Sequence, residues 1–211
     1  MPPTPPAPAG FPGLPAYAEL HCRTNFSFQV GASHAEELVA RAHALGYSAL
    51  AITDECSVAG LVRAHAEAKK LGLKLLAGSE FVLDGGDGRF RLIALAHNLN
   101  GWGALCEFIT AGRRAAPKGE YRLGWQDVTA ERLPDCELIL APDRLTRSAI
   151  TLEALCDRLT LGRQQFGSHF WLAAELLHGL DDDLWLTMLE QASARTGVPL
   201  VAAGDVVMHV R

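Results

Sequence analysis

Ala49-Leu50-Ala51-Ile52-Thr53-Asp54-Glu55 is the stretch on which the fold class turns. It is an apolar run of strand length that stops on two carboxylates. A helical pattern follows from about Ala59 to Leu71, and a second apolar run spans Lys74 to Phe81. Strand, helix and strand in this order predict parallel neighbours joined by a helical crossover.

The same alternation extends outward. Tyr17 to Cys22 reads as a strand before this unit, and Ser33-His34-Ala35-Glu36 reads as a capping box opening a helix that Gly46 ends. Downstream, strands are predicted at Phe90 to Ala96, Glu137 to Ala141, Phe170 to Leu176 and Pro199 to Ala203. Helices are predicted at about 103–113, 150–161 and 182–196, while 115–134 reads as irregular and Asp84 to Gly88 as a turn. Seven strands with mostly helical crossovers imply an α/β fold with a parallel sheet, wound into an open sheet or a barrel. In both, chemistry belongs where strands end and loops begin.

Composition bounds the rest. The chain has 211 residues, 49% hydrophobic and 20% charged, which is enough for one sizeable core. Residues 1–16 are rich in Pro and Ala without Lys or Arg, so they are expected to form a disordered leader rather than a secretory signal. No apolar run approaches the length of about 20 residues that a membrane span needs. Cys22, Cys56, Cys106, Cys136 and Cys156 form no C-x-x-C pair, and their odd number suits reduced thiols in the cytoplasm. A net charge of −5, with both signs mixed along the chain, makes these residues alone a poor grip on duplex phosphates. The four tryptophans and Phe26 read as packing anchors, and Asp181-Asp182-Asp183 as the start of a helix.

Polar residues gather at the strand ends. His21 and Arg23 lie two apart, so both could face one pocket. Asp54 and Glu55 follow the second strand, Glu80 lies near the end of the third, and Asp205 follows the seventh. The ordinary alternative for each is a strand-end cap. One imidazole with several carboxylates would suit Zn, Mn or Fe.

The segments Tyr17 to Phe28, Ala51 to Ser57, Gly78-Ser79-Glu80, Leu92 to Asn98, Glu175 to Gly179 and Val201 to Val207 resemble, in order, the motifs of the PHP (polymerase and histidinol phosphatase) domain of C-family bacterial DNA polymerases. Thr53-Asp54-Glu55-Cys56-Ser57 and Ala203-Gly204-Asp205-Val206 are similar to the error-prone branch. The resemblance covers residues 17–211 and implies a distorted seven-stranded β/α barrel. It implies a metal-ion cluster that hydrolyses phosphoesters where the site is intact. His21, Asp54, Glu80, His178 and Asp205 stand at matched ligand positions, whereas Arg23, Glu55, Arg91 and Val207 replace the family's usual histidines.

These replacements oppose metal. Arginine has no lone pair to donate. A guanidinium about 5 Å from a dication is repelled by roughly 6–7 kcal/mol at an effective dielectric near 20. Arg23 and Arg91 are therefore expected to occupy vacated metal space and pair with Asp54, Glu55, Glu80 or Asp205, with no catalytic residue and no cofactor. The implied parent is an error-prone DNA polymerase acting in repair. Its implied partners are a neighbouring polymerase domain, DNA through the complete enzyme, and mutagenic repair proteins. Residues 1–211 leave no room for a polymerase active site. The alternative is a stand-alone metal-dependent phosphoesterase using Zn or Mn on His21, Asp54, Glu80 and Asp205, with Glu55 as a substitute ligand. A remnant without independent activity is a third option.

Overall fold

The computed structural model describes residues 15–84, 90–143 and 150–210. The expected leader falls almost wholly outside the described residues, as does most of the Asp84 to Gly88 turn. The strands are β1 (Ala18–Glu19), β2 (Ala49–Ile52), β3 (Lys74–Val82), β4 (Phe90–Ala96), β5 (Cys136–Pro142), β6 (Phe170–Glu175) and β7 (Leu200–Ala203). The helices are α1 (Ala35–Ala44), α2 (Leu61–Leu71), α3 (Leu99–Arg114), α4 (Leu152–Phe166) and α5 (Asp182–Thr196). The seven strands are hydrogen-bonded in chain order, β1 to β7.

The chain divides into two compact units, one of residues 1–79 with 204–211 and one of residues 80–203. In the first, β1, β2 and the start of β3 run parallel. β2 is buried along its whole length, and α1 and α2 supply Leu38, Val39, Leu61 and Ala64 to the same core. Buried strands of this kind read as continuous apolar runs rather than alternating ones. The chain beyond Ala203 returns beside the end of β1. Cys22 and Val206 form a parallel bridge, Arg23 N–H donates to Val206 O at 2.8 Å, and Val206 N–H donates to His21 O at 2.9 Å.

In the second unit β5, β6 and β7 are parallel, joined through α4 and α5. β4 departs from the expected all-parallel sheet and runs antiparallel to β5, with Arg91 opposite Ala141. The stretch 83–89 between β3 and β4 is too short for the crossover of about a dozen residues that a parallel neighbour requires. Leu92, Ile93, Leu138, Leu140, Leu105, Phe108, Leu155 and Leu189 form the buried interior.

Several local expectations are corrected. The α1 cap is shifted by one residue, with His34 as N-cap and its N–H donating to Glu37 Oε2 at 2.8 Å. The Ser33 hydroxyl instead meets His209, whose N–H and Nδ1 lie 2.9 and 2.7 Å away. α3 starts at Leu99, because Asn98 caps it by accepting from Gly101 N–H at 3.0 Å. α4 runs on to Phe166, and the first strand shrinks to Ala18–Glu19. Phe26 is 43% exposed and is no core residue. Asp181 caps α5 by position, but its side chain makes no capping hydrogen bond to the first turn. Among the described residues no helix is long and apolar enough to cross a membrane.

Candidate functional site

The first unit brings His21, Arg23, Asp54, Glu55 and Asp205 to the segments that follow β1, β2 and β7. Extended backbone after β1 sends residues 21 and 23 to the same side, and both meet one carboxylate. The Arg23 guanidinium donates from Nη2 to Asp205 Oδ1, and His21 Nδ1 lies 3.7 Å from that same oxygen. The Arg23 and Asp205 side chains are only 5% and 14% exposed, so water does little to screen the pair. Asp205 sits at a left-handed φ of 48°, which aspartate tolerates better than most residues.

Asp54 is fully buried and held by hydroxyls rather than by arginine. Its Oδ1 accepts from Thr24 N–H at 2.7 Å and from the Ser27 hydroxyl at 2.8 Å. The Thr24 hydroxyl lies 3.0 and 2.8 Å from its two oxygens. Gly60 backs this cage, since a Cβ there would come within 2.5 Å of Asp54 Oδ2. The Glu55 backbone N–H donates to Ser27 Oγ at 3.1 Å. Val207 contributes its carbonyl, which accepts from Ala32 N–H at 2.8 Å.

Beneath these groups lies buried Glu19, a residue that sequence reasoning gave no role. Its Oε1 accepts from the N–H groups of His21 (2.8 Å) and Gly204 (2.9 Å), and its Oε2 from the Tyr17 hydroxyl (2.8 Å). Burial pushes the Glu19 carboxyl above its ordinary value of 4.5, against the lowering pull of those three donors and of His21. Glu19 thus fixes the backbone on both sides of the Arg23–Asp205 pair. Its one sequence signal is its place two residues before His21. Thr24 and Ser27 were visible only as parts of a motif.

In the second unit Glu80 is buried on β3 and Arg91 stands on β4. Arg91 Nη1 lies 3.9 Å from Glu80 Oε2, and Nη2 lies 3.8 Å from Asp143 Oδ2. Asp143, just past β5, is a partner that the sequence did not single out. His178 is exposed in the loop after β6, at a φ of 60°. At the opposite end of β5, Glu137 accepts from Trp171 Nε1 at 2.8 Å, and the Nδ1 atoms of His169 and His97 lie 2.8 and 3.7 Å from its other oxygen.

Polar groups at the strand ends of a seven-stranded α/β sheet define the class, a β/α barrel of the PHP type. The PHP domain model matches residues 19–158, and the chain belongs to the PHP domain family. Its fold is the distorted seven-stranded barrel that the motifs implied. An error-prone DNA polymerase of Ralstonia nicotianae is 48% identical over 218 residues, covering 97% of this chain and 20% of that protein. The error-prone DNA polymerase of Methylococcus capsulatus is 48% identical over 195 residues, covering 92% of this chain and 18% of its own length. The chain therefore spans about a fifth of the curated relatives it matches. Among solved structures, a protein assigned as a metal-dependent phosphoesterase from Bifidobacterium adolescentis superposes with a TM-score of 0.69 at 16% identity, covering 93% of this chain and 90% of that one.

The family's metal cluster can be tested against the donors present. Among the described residues no group of three or more His, Cys, Asp or Glu side chains is arranged to hold a metal ion. Asp205 Oδ1 carries a guanidinium, and Asp54 Oδ1 already accepts from the Thr24 N–H and the Ser27 hydroxyl. These residues do not fit the cluster.

Proposed function

We propose that this chain is the N-terminal PHP domain of an error-prone DNA-directed DNA polymerase, and that its ancestral hydrolytic pocket now serves folding. The single observation behind the second part is the Arg23 guanidinium hydrogen-bonded to Asp205, with Arg91 standing between Glu80 and Asp143 in the same sense. A carboxylate left without its cation needs a counter-charge, and an arginine supplies one that cannot be titrated away. His21, Asp54, Glu80, His178 and Asp205 are then remnants of a ligand set, and Arg23, Glu55, Arg91 and Val207 its replacements. The kinship with error-prone polymerases supports the first part.

On this reading residues 17–211 form the domain, residues 1–16 a leader, and the setting is the cytoplasm. The complete protein adds deoxynucleotides to a primer opposite damaged template during repair, alongside other mutagenic repair proteins. The local task is to support the neighbouring polymerase domain. The test is turnover of a generic phosphate ester with added Mn or Zn. The expected result is no hydrolysis above buffer, unaltered by Asp54→Ala. Metal-dependent hydrolysis that Asp54→Ala abolishes would favour a phosphoesterase instead. Primer extension past a lesion by the complete polypeptide checks the polymerase assignment.

A further inference from the structure

The chain has three asparagines, Asn25, Asn98 and Asn100, followed by Phe26, Leu99 and Gly101. Asparagine is among the chemically labile side chains. Its weak point is attack on the side-chain amide by the backbone nitrogen of the next residue. A following glycine has no Cβ and leaves that approach open, whereas Phe and Leu crowd it. Asn100-Gly101 is therefore the most reactive pair of the three, and the fold gives it a definite place.

Both members are held there for reasons of packing. Gly101 is buried in the first turn of α3, and a Cβ on it would lie 2.1 Å from the Asp135 carbonyl oxygen. Exposed Asn100 donates from Nδ2 to Asp135 Oδ2 at 2.8 Å. That bond, and then one with Asn98, holds the Asp135 carboxyl below its ordinary value of 3.8. The pair thus clasps the start of α3 to the residue that leads into β5. The attacking nitrogen, that of Gly101, lies at a helix start, where N–H groups lack an intrahelical carbonyl. A side chain holds it instead, Asn98 Oδ1 at 3.0 Å. Helix ends open at small cost, and an opened first turn lets the Gly101 nitrogen reach the Asn100 amide.

We propose that Asn100-Gly101 is a site of spontaneous deamidation, and that this modification unclasps α3 from the start of β5. The deprotonated Gly101 nitrogen bonds to Asn100 Cγ. The Cγ–Nδ2 bond breaks, and the amide nitrogen takes a proton from water and leaves as ammonia. A cyclic imide remains, and water opens it at either carbonyl to give an aspartyl or isoaspartyl residue at position 100. Water is consumed and ammonia released, with no oxidant or reductant. The product carries a carboxylate where the amide donated to Asp135. Two ionised carboxylates at that separation have no proton to share, and they repel. The isoaspartyl form also adds a methylene to the backbone, which takes the first turn out of helical register.

The purified chain is incubated at mildly alkaline pH, native and in urea, and its peptides are followed by mass for conversion of amide to acid. Isoaspartyl-selective methylation gives a second readout. Product is expected at residue 100 and not at 25 or 98, forming about tenfold more slowly in the native chain than in urea. Asn98→Ala releases the Gly101 N–H and should speed the native reaction about fivefold, the effect of losing a typical N-cap. Asn100→Asp copies the aspartyl product. It should speed amide hydrogen exchange in the first turn of α3 by about tenfold and leave exchange in β1 and β2 unchanged. Adding Asp135→Asn sets a donor against a carboxylate again and should return the protection, since asparagine tolerates the left-handed φ of 51° at that position. A native chain that stays unmodified at residue 100, a rate indifferent to Asn98→Ala, or exchange indifferent to Asn100→Asp would overturn the proposal.

Discussion

Replacing Arg23 with methionine keeps the apolar stem and removes the charge. At a hydrogen-bonded separation of about 2.8 Å and an effective dielectric near 20, the pair attracts by roughly 6 kcal/mol. Burial of both groups offsets most of that, since Arg23 and Asp205 keep only 5% and 14% of their side-chain exposure. The net value of the pair is therefore small, but breaking it is costly. Asp205 would keep His21 Nδ1 at 3.7 Å, a group that is charged only when protonated. Arg23→Met should destabilise by about 3 kcal/mol, or roughly 6–12 °C in a chain of this size. Asp205→Asn, which preserves the left-handed backbone, should cost a similar amount by stranding the guanidinium. The double variant strands neither charge and should lose only about 1–2 kcal/mol, far less than the sum. Urea unfolding of the four proteins, followed by far-UV circular dichroism, measures the coupling. Additivity within about 0.5 kcal/mol would refute the idea that the arginine is there to neutralise the carboxylate.

Glu19→Gln should flatten part of the pH dependence of stability. A carboxyl held above 4.5 binds its proton more tightly folded than unfolded, so Glu19 lowers stability as pH rises through the window from 4.5 upward, and the amide removes that slope in pH-dependent melting. Gly60→Ala should destabilise by about 1–3 kcal/mol, read by urea titration, because the new Cβ would lie 2.5 Å from Asp54 Oδ2 and 2.9 Å from Thr24 Oγ1. Thiol labelling of the native chain should modify Cys106 and Cys156 while Cys22, Cys56 and Cys136 wait for unfolding. Burial pushes the Cys22 thiol well up, and Cys136 up to about 11.

The strands and helices were legible because apolar runs and helical periods alternate so regularly; α5, for example, lies where its Asp start and Gly197 stop placed it. The antiparallel turn of β4 was not legible from periodicity, which carries no direction. Only the shortness of residues 83–89 hinted at it. The α1 cap slipped by one residue because Ser33 had a tertiary use, binding His209 from the far end of the chain. In the candidate site, the lost imidazoles were visible as Arg23, Glu55, Arg91 and Val207. Which carboxylate each arginine meets was not, since Asp205 and Asp143 are remote in sequence from Arg23 and Arg91. Sequence reasoning also overlooked the hydroxyl cage on Asp54. Thr24 and Ser27 look like ordinary loop residues until the fold sets them against a carboxylate from another strand.

Elemental analysis of the purified chain, after equilibration with excess Zn and Mn and removal of free ions, bears most directly on the claim that guanidiniums stand where the family's ions would. The account predicts far less than one equivalent of either metal per chain. One or more tightly held ions, lost on Asp54→Ala or Asp205→Asn, would contradict it.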